Sequence, residues 1–259
     1  MAAAGRLDIR DVSKTYQVEG RPPLTVLSRV SFDVAAGSFV SLLGPSGCGK
    51  STLLRLILGL DPEYDGDILV DGERISGPGL ARGIVFQDHR LLPWLTLEQN
   101  VALSLENSRW SAAEKAQAVR EHIALVGLRG FEKAYPHQLS GGMAQRAAIA
   151  RGLANRPEIL LLDEPLGALD ALTRVRLQGE LQRIWRVEKV TMILVTHDVD
   201  EAIFLSDEVI VMSTGPGRVA ERIAIDLDGA RDRAGAAFAA TKRRILRAMG
   251  DDVGHRDAA

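Results

Sequence analysis

The stretch Gly44-Pro45-Ser46-Gly47-Cys48-Gly49-Lys50-Ser51-Thr52 decides the fold of this chain. It matches the pattern G-x-x-x-x-G-K-[S/T], in which the glycines allow main-chain N–H groups to curl around an anion. The strand-like segment Phe39–Leu43 precedes the loop, and the helix-like segment Lys50–Leu58 follows it. A helix that begins directly after the loop points its free N–H groups and positive dipole end at a bound phosphate. The sequence therefore predicts a P-loop in an α/β protein.

Two residues at the end of this loop have the chemistry that a nucleotide requires. Lys50 adds a mobile positive charge toward the terminal phosphates. The Ser51 hydroxyl can ligate Mg²⁺, a cation that keeps most of its waters and takes few protein ligands. The alternative is a glycine-rich turn that matches the pattern by accident. The flanking strand and helix favour nucleotide binding.

The composition indicates a globular protein of the cytosol. The chain has 259 residues, of which 46% are hydrophobic and 25% charged, and its net charge is −2. Such a charge creates no global field that would attract nucleic acid or anionic lipid. The single cysteine, Cys48, excludes an internal disulfide and suits a reducing compartment. Since the sequence has no apolar run of about 18 residues and no secretory signal, we expect it to reach membranes only through other subunits.

Hydrophobic periodicity and turn residues divide the chain into an α/β core and a helical insert. Strands are predicted at Leu7–Arg10, Val30–Val34, Phe39–Leu43, Asp67–Val70, Gly83–Phe86, Ile159–Leu162, Met192–Val195, Val209–Met212 and Arg218–Ile225. Helices are predicted at Lys50–Leu58, Ala112–Val126, Gly141–Ala154, Ala171–Val187 and Arg231–Met249. We therefore expect a single domain with a core at 1–89 and 156–230, a helical subdomain at about 90–155, and a C-terminal helix and tail at 231–259.

Two acids follow the apolar run Ile159–Leu162. A buried strand that ends in Asp163 and Glu164 delivers both carboxylates to the sheet edge where α/β folds bind ligands. Downstream of a P-loop, Asp163 is expected to hold the Mg²⁺ shell, and Glu164 to polarise the attacking water. The alternative is a solvated strand end.

A second anion-binding helix start is predicted at Leu139-Ser140-Gly141-Gly142. Ser140 is a good N-cap, and the glycines expose main-chain N–H groups. A plain helix start is the alternative. Leu139–Arg146, LSGGMAQR, resembles the signature of the ABC-transporter ATPases, usually LSGGQ-x-QR, with Met143 in place of the glutamine. The resemblance implies a P-loop NTPase (RecA-like) core with an N-terminal antiparallel β region and an inserted α-helical subdomain.

The resemblance extends over nearly the whole chain and implies a role for each site residue. In this family an aromatic such as Tyr16 stacks on adenine, the residue matching Gln87 touches Mg²⁺ or the attacking water, and the histidine matching His197 contacts the γ-phosphate. ATP would be bound by Tyr16, Gly44, Pro45, Ser46, Gly47, Cys48, Gly49, Lys50, Ser51, Thr52, Ser140, Gly141, Gly142 and Asp170. Catalysis would involve Glu164, His197, Gln87 and Lys50. Mg²⁺ would be held by Ser51, Gln87 and Asp163.

The family's arrangement also implies a paired molecule. Two copies, or one copy and a related subunit, would meet head to tail, so that the P-loop of one faces Ser140 and Gly142 of the other. The loop Leu166–Asp170 would cross to the opposite subunit. ATP binding would close the pair, and hydrolysis would open it.

Three segments are similar to the nitrate, sulfonate and taurine importer group: Val85–Trp94, Asp163–Leu172 and Ser213–Val219. This similarity implies transmembrane permease subunits as partners, an extracytoplasmic solute-binding protein as an indirect partner, and a location at the cytoplasmic face of the cell membrane. Leu91, Leu92 and Trp94 either line the groove for a permease helix or are buried in the core of the insert. The hairpin at Ser213–Val219 is otherwise an ordinary tight turn.

Other functions compete with this interpretation. A soluble ABC-type ATPase acting on nucleic acid or ribosomes is the main alternative, although the chain has one P-loop, no coiled-coil insert and no basic patch. A P-loop kinase would leave Ser140–Gly142 and His197 without a role. The basic helix residues Lys242, Arg243, Arg244 and Arg247 either form a solvated face or contact phospholipid or a partner subunit.

Overall fold

A computed structural model describes residues 4–227 and 231–250. These residues form two compact units. The helical unit comprises Leu80–Val190, and the sheet unit comprises Gly5–Gly79 together with the described residues from Thr191 onward. Among the described residues, no helix combines the length and the apolar character that are needed to cross a membrane.

Ten strands and seven α-helices are found in the described residues. The strands are β1 (Leu7–Tyr16), β2 (Leu24–Val34), β3 (Phe39–Leu43), β4 (Asp65–Val70), β5 (Glu73–Arg74), β6 (Arg82–Val85), β7 (Ile159–Asp163), β8 (Thr191–Thr196), β9 (Glu208–Ser213) and β10 (Arg218–Ala224). The helices are α1 (Lys50–Leu58), α2 (Leu97–Ala102), α3 (Ala112–Leu125), α4 (Gly141–Ala154), α5 (Ala171–Glu188), α6 (Val199–Leu205) and α7 (Ala236–Gly250).

The sheet unit contains two groups of strands. An antiparallel group has the order β2-β1-β4-β5, as the predicted N-terminal β region requires. In the other group, β3 runs parallel to both β8 and β9, and β10 pairs antiparallel with β9. Every residue of β3 and of β8 is buried. Strands buried on both faces read as continuous apolar runs, which is why the sequence located both correctly.

The helical unit packs α2, α3 and α4 around one another, beside the parallel pair β6 and β7. Ser111 caps α3 by a capping box with Glu114, as the sequence predicts. Thr96 and Gln99 form a second capping box at α2. The amide of the buried Asn100 donates hydrogen bonds to the carbonyls of Leu92, Leu95 and Thr96, and so ties down the loop before α2.

The predicted fold class is confirmed, and three predicted boundaries are corrected. Strand β2 begins at Leu24 and not at Val30. The C-terminal helix begins at Ala236 and not at Arg231, because the Asp232 carboxylate accepts the Ala234 N–H in a turn that competes with helix formation. The strand at β1 is longer than Leu7–Arg10 and continues to Tyr16. The polar tail beyond Gly250 lies outside the described residues.

Candidate functional site

The P-loop, Gly44–Thr52, joins β3 to α1 within the sheet unit. Gly47 and Gly49 have φ angles of +82° and +93°, a region that L side chains rarely adopt. Gly44 is needed for space, since a Cβ atom there would lie 2.6 Å from the Met212 carbonyl oxygen and 2.9 Å from Cys48 Sγ. The glycines therefore serve two purposes: backbone direction at 47 and 49, and close packing at 44.

Lys50 is the first residue of α1, and its side chain folds back along the loop. The residue is 7% exposed. Its Nζ donates hydrogen bonds to the carbonyls of Gly44 (2.7 Å) and Pro45 (3.0 Å). These contacts hold the ammonium group inside the curve of the loop, so the positive charge is concentrated where the loop amides converge.

Tyr16 lies at the end of β1 in a charged cluster that the sequence did not predict. Its hydroxyl donates to Asp61 Oδ2 at 3.1 Å, and Lys14 Nζ lies 4.7 Å from the ring centroid. Lys14, which is 3% exposed, is paired with Asp61 Oδ1 at 2.7 Å. Thr52 also contacts the Tyr16 hydroxyl, which links the cluster to the P-loop.

Electrostatics in this cluster follow from its burial and its pairing. Burial, together with the Asp61 carboxylate, raises the pKa of Tyr16, so the phenol stays neutral. Burial alone would raise the pKa of Asp61, but hydrogen bonds from Lys14 and Tyr16 hold that pKa below its usual value. Lys14 lies over one face of the Tyr16 ring, and Tyr16 as a whole is half-buried.

His197 follows β8 directly, at the same sheet edge as the P-loop. Leu43 at the end of β3 pairs with Thr196 at the end of β8. Gly44 and His197, the residues that follow this pair, therefore leave the sheet side by side. The Thr196 hydroxyl donates to Glu201 Oε2 at 2.7 Å and accepts the Asp198 N–H. This network fixes the backbone on both sides of His197. His197 itself is exposed.

The helical unit brings the second acidic motif and Gln87 to one edge. Val85 pairs with Leu162 in parallel strands, so Gln87 and the acids leave the pair on the same side. Asp163 and Glu164 are both half-buried. The φ angle of Glu164 is +46°, a left-handed conformation that costs a non-glycine residue about 1 kcal/mol or more. Such an outlier at a strand end is typical of functional sites.

Gln87 is exposed and lies near the loop that follows Glu164. A Cβ atom on Gly167 would lie 3.0 Å from Gln87 Nε2, so the side chain passes close to the loop after Glu164. The buried Gln145 donates from Nε2 to the Phe86 carbonyl at 3.0 Å and fixes the residue before Gln87.

Ser140–Gly142 and Asp170 lie together at the starts of α4 and α5. Ser140 accepts the Met143 N–H and caps α4, while Asp170 accepts the Thr173 N–H at 3.0 Å and caps α5. A Cβ atom on Gly142 would lie 2.7 Å from Thr173 Cγ2. Hydrogen bonds from Thr173 lower the pKa of Asp170 and keep it ionised. Both cap residues are exposed, so the two helix starts are open to solvent.

The structure bears on two alternatives that the sequence left open. Leu91 is buried, which is the core alternative, whereas Trp94 is 68% exposed and Leu92 is half-buried. On α7, Lys242 pairs with Asp200 and Arg244 with Glu221. These two cations are therefore used within the sheet unit.

Sequence reasoning missed Lys14, Asp61, Gln145 and Glu201 as supporting residues. Two of them had a local signal: Lys14 lies two positions before Tyr16 and so shares its face of β1, and Glu201 lies three positions after Asp198, the N-cap of α6. The partner Asp61 is 47 residues away from Lys14 in the chain, and Gln145 is 59 residues from Phe86. Contacts across such separations have no signature in a single sequence.

A family model described as ABC transporter matches residues 27–167, which is more than half of the chain. The chain belongs to the ABC transporter family. As a member of this family, it is an ATP-binding protein and an ABC-type ATPase.

Curated relatives of this ABC protein cover most of its length. It is 50% identical over 233 residues to "Aliphatic sulfonates import ATP-binding protein SsuB" of Bacillus subtilis, a match that covers 90% of each chain. It is 47% identical over 248 residues to "Uncharacterized ABC transporter ATP-binding protein MJ0412" of Methanocaldococcus jannaschii, covering 96% of this chain and 92% of the relative.

Among solved structures, the ABC protein is similar to the cassette MJ0796 in a dimeric post-hydrolysis state bound to ADP and Pi. The TM-score is 0.73 at 32% sequence identity, and the match covers 85% of this chain and 99% of the cassette. The fold class predicted from the P-loop and LSGG motifs is thus confirmed by an independent likeness of structure.

Proposed function

We propose that this ABC protein is the ATPase subunit of an importer for small sulfonates or chemically similar solutes. The observation that carries the proposal is the 50% identity, over 90% of both chains, to the Bacillus subtilis protein named for aliphatic sulfonate import. Neither the fold nor the reported relatives support the alternative of a soluble ATPase acting on nucleic acid or ribosomes.

ATP binding would begin in the sheet unit. The amides of Gly44–Thr52 would surround the phosphates, with Lys50 supplying charge to the β- and γ-phosphates. Adenine would stack on the face of Tyr16 that Lys14 does not cover. The ring is held at both its hydroxyl and one face, which supports this role because a fixed platform loses little entropy when a base stacks on it.

Hydrolysis would use Glu164, His197 and Gln87. The water oxygen attacks the γ-phosphorus, the Glu164 carboxylate accepts the water proton, and the bond to the β–γ bridging oxygen breaks to release ADP. His197 would contact the γ-phosphate, and Gln87 would contact the attacking water.

The donor set fits Mg²⁺, although the metal is a proposal. Ser51, Gln87 and Asp163 offer a hydroxyl, an amide carbonyl and a carboxylate, all of them the hard oxygen ligands that this cation prefers. When bound, Mg²⁺ would neutralise charge on the phosphates. Ser51 is exposed at the start of α1, and Asp163 is half-buried at the end of β7, so neither residue is fully enclosed by the protein.

The assembly would be a head-to-tail pair in which Ser140, Gly141 and Gly142 of one copy meet the nucleotide of the other. Their position at an open helix start supports this, because free N–H groups there bind anions. Asp170 would contact the partner copy from the start of α5. The dimeric cassette with ADP and Pi is a precedent in a similar protein.

Transport would require permease subunits and an extracytoplasmic solute-binding protein, with this ATPase at the cytoplasmic face of the membrane. The exposed Trp94 and half-buried Leu92 would line the groove that receives a permease helix. Replacing Trp94 by Asp would then uncouple transport from ATP binding, whereas Leu91 would act as a core residue.

The test is uptake in a strain that lacks the gene. Wild-type protein should restore growth on an alkanesulfonate as sole sulfur source, and Glu164→Gln should not. Trp94→Asp should also fail to restore growth while binding ATP as the wild type does. If the deletion strain takes up the alkanesulfonate normally, the sulfonate assignment is wrong.

A further inference from the structure

The hairpin between β9 and β10 packs against the back of the P-loop. Its tip residue Gly217 is buried, and its backbone pairs with β2 as an isolated parallel bridge. The Gly217 N–H donates to the Val26 carbonyl at 2.9 Å, and the Ser28 N–H donates to the Gly217 carbonyl at 3.0 Å. The tip is therefore fixed to β2 by two backbone hydrogen bonds, unlike an ordinary solvent-exposed turn.

The hairpin tip packs closely against the P-loop at Cys48. A Cβ atom on Gly217 would lie 2.0 Å from the Cys48 carbonyl oxygen and 3.1 Å from its carbonyl carbon. Because the φ angle of Gly217 lies outside the left-handed region, glycine is required here for space and not for backbone conformation. The contact joins one backbone to another, so no side-chain rotation can relieve it.

Two further close contacts complete this support. The start of the same hairpin meets Gly44, where a Cβ atom would lie 2.6 Å from the Met212 carbonyl oxygen. From β2, Leu27 meets Gly49, where a Cβ atom would lie 2.5 Å from Leu27 Cδ2. The back of the loop is thus in contact with the hairpin at Gly44 and Cys48, and with β2 at Gly49.

The contact at Cys48 has a direct consequence for anion binding. In a planar trans peptide the C=O and the following N–H point in opposite directions. The Cys48 carbonyl oxygen lies against Gly217, so the Gly49 N–H of the same peptide points in the opposite direction, away from the hairpin. Any rotation of this peptide would turn a phosphate donor away and bring a carbonyl oxygen toward the anion.

We propose that the hairpin tip positions the P-loop, and that Gly217 is a positioning residue which holds the Cys48–Gly49 peptide in the orientation that binds nucleotide phosphate. The proposal rests on the proposed function only in taking the P-loop as the phosphate site. The proposal gives the Ser213–Val219 segment a structural role. From the sequence, this segment was either a point of similarity to one importer group or an ordinary tight turn.

Two variants perturb the contact in opposite steric senses. Gly217→Ala adds one methyl group against the Cys48 carbonyl. Replacement of Thr214–Gly217 by the two-residue turn Asn-Gly removes the tip, and the pairing of Ser213 with Arg218 suits such a turn. Gly77→Ala is the matched control, because its added methyl group meets nothing within 4 Å and its φ angle is not left-handed.

The readouts are nucleotide affinity and the labelling rate of Cys48 by a maleimide. Cys48 is the only cysteine and is 0% exposed, so its labelling reports on the P-loop without engineering. Both hairpin variants should bind ATP and inorganic tripolyphosphate about tenfold more weakly, by equal factors, since the defect lies at the phosphates. Cys48 should label several-fold faster in both, while Gly77→Ala matches the wild type in both assays.

Each outcome has a defined meaning. If both variants melt at the wild-type temperature, label at the wild-type rate and bind both ligands normally, the positioning role is wrong. Faster labelling with unchanged affinity also contradicts it, since the hairpin would then merely cover the thiol. If Gly217→Ala does not fold, the tip-removed variant alone decides. If the wild type binds neither ligand, the proposed function fails, and the labelling rates still test whether the hairpin holds the loop.

Discussion

The P-loop of the sheet unit and the helix starts of the helical unit are held by different physical means. The P-loop is held by close packing, of Gly44 and Cys48 against backbone atoms and of Gly49 against the Leu27 side chain. In the helical unit, Ser140 and Asp170 are held by capping hydrogen bonds, and the segment before Gln87 by a side-chain amide. A closely packed glycine has no room for an added methyl group. A hydrogen-bonded side chain can change in size, but it must keep the polar atom that makes the bond. The two units should therefore respond to different kinds of mutation.

The largest effect should come from a methyl group added in the sheet unit. Gly44→Ala places Cβ against the fixed carbonyl of Met212, so the loop must shift and ATP affinity should fall by about 100-fold. Gly142→Ala, in the helical unit, meets only the movable methyl group of Thr173 and should change ATP affinity of the isolated chain by less than about threefold. Isothermal titration calorimetry measures both. Equal losses would show that the two units do not differ in this way.

A buried ion pair should give the next largest effect, this time on stability. Lys14→Met leaves the Asp61 carboxylate without its cation, and we expect a loss of roughly 2–3 kcal/mol at pH 7, below the value for a fully buried pair because the Asp61 side chain is 20% exposed. Urea unfolding measures this loss. The control Lys133→Met removes an exposed partner of Glu98 and should cost less than about 1 kcal/mol.

The pH dependence of this loss follows from the lowered pKa of Asp61. A carboxylate with a depressed folded-state pKa stabilises the fold above its unfolded pKa of about 3.9, and that contribution disappears as the pH falls through the folded value. The difference between wild type and Lys14→Met should therefore be constant near neutral pH and shrink below about pH 4. A difference that stays constant down to pH 2 would contradict the ion-pair account.

The placement of the motifs on strands and helices was predictable from the sequence, for a physical reason. The P-loop, the LSGG segment and the acids after Ile159–Leu162 are contiguous motifs, and each lies next to a strand or helix that local patterning predicts; their roles in the site remain predictions. The short helices α2 and α6, with 6 and 7 residues, were not predicted because they are too short for a 3.6-residue period to be seen. The contact of Gly217 with Cys48 joins distant parts of the chain, and only the fold reveals it.

The smallest expected effect lies in the helical unit. Gln145→Leu keeps the volume but removes the donor to the Phe86 carbonyl, and should cost about 1–3 kcal/mol of stability. Because Gln87 follows Phe86, the rate of ATP hydrolysis should fall several-fold while ATP affinity stays unchanged. Gln117→Leu is the control, since Gln117 donates a hydrogen bond to the exposed Glu121 on the surface of α3. A loss of ATP affinity in Gln145→Leu would place its effect in the P-loop and refute the division between the units.

The central claim is that ATP is held between two copies, with the P-loop of one facing the LSGG segment of the other. The most direct test is the mass of the Glu164→Gln variant in solution with ATP and Mg²⁺, measured by light scattering after size exclusion. The account predicts a stable dimer of twice the chain mass of 28.0 kDa, which returns to monomer when ATP is replaced by ADP. A variant that binds ATP and remains at the monomer mass at every protein concentration would contradict it.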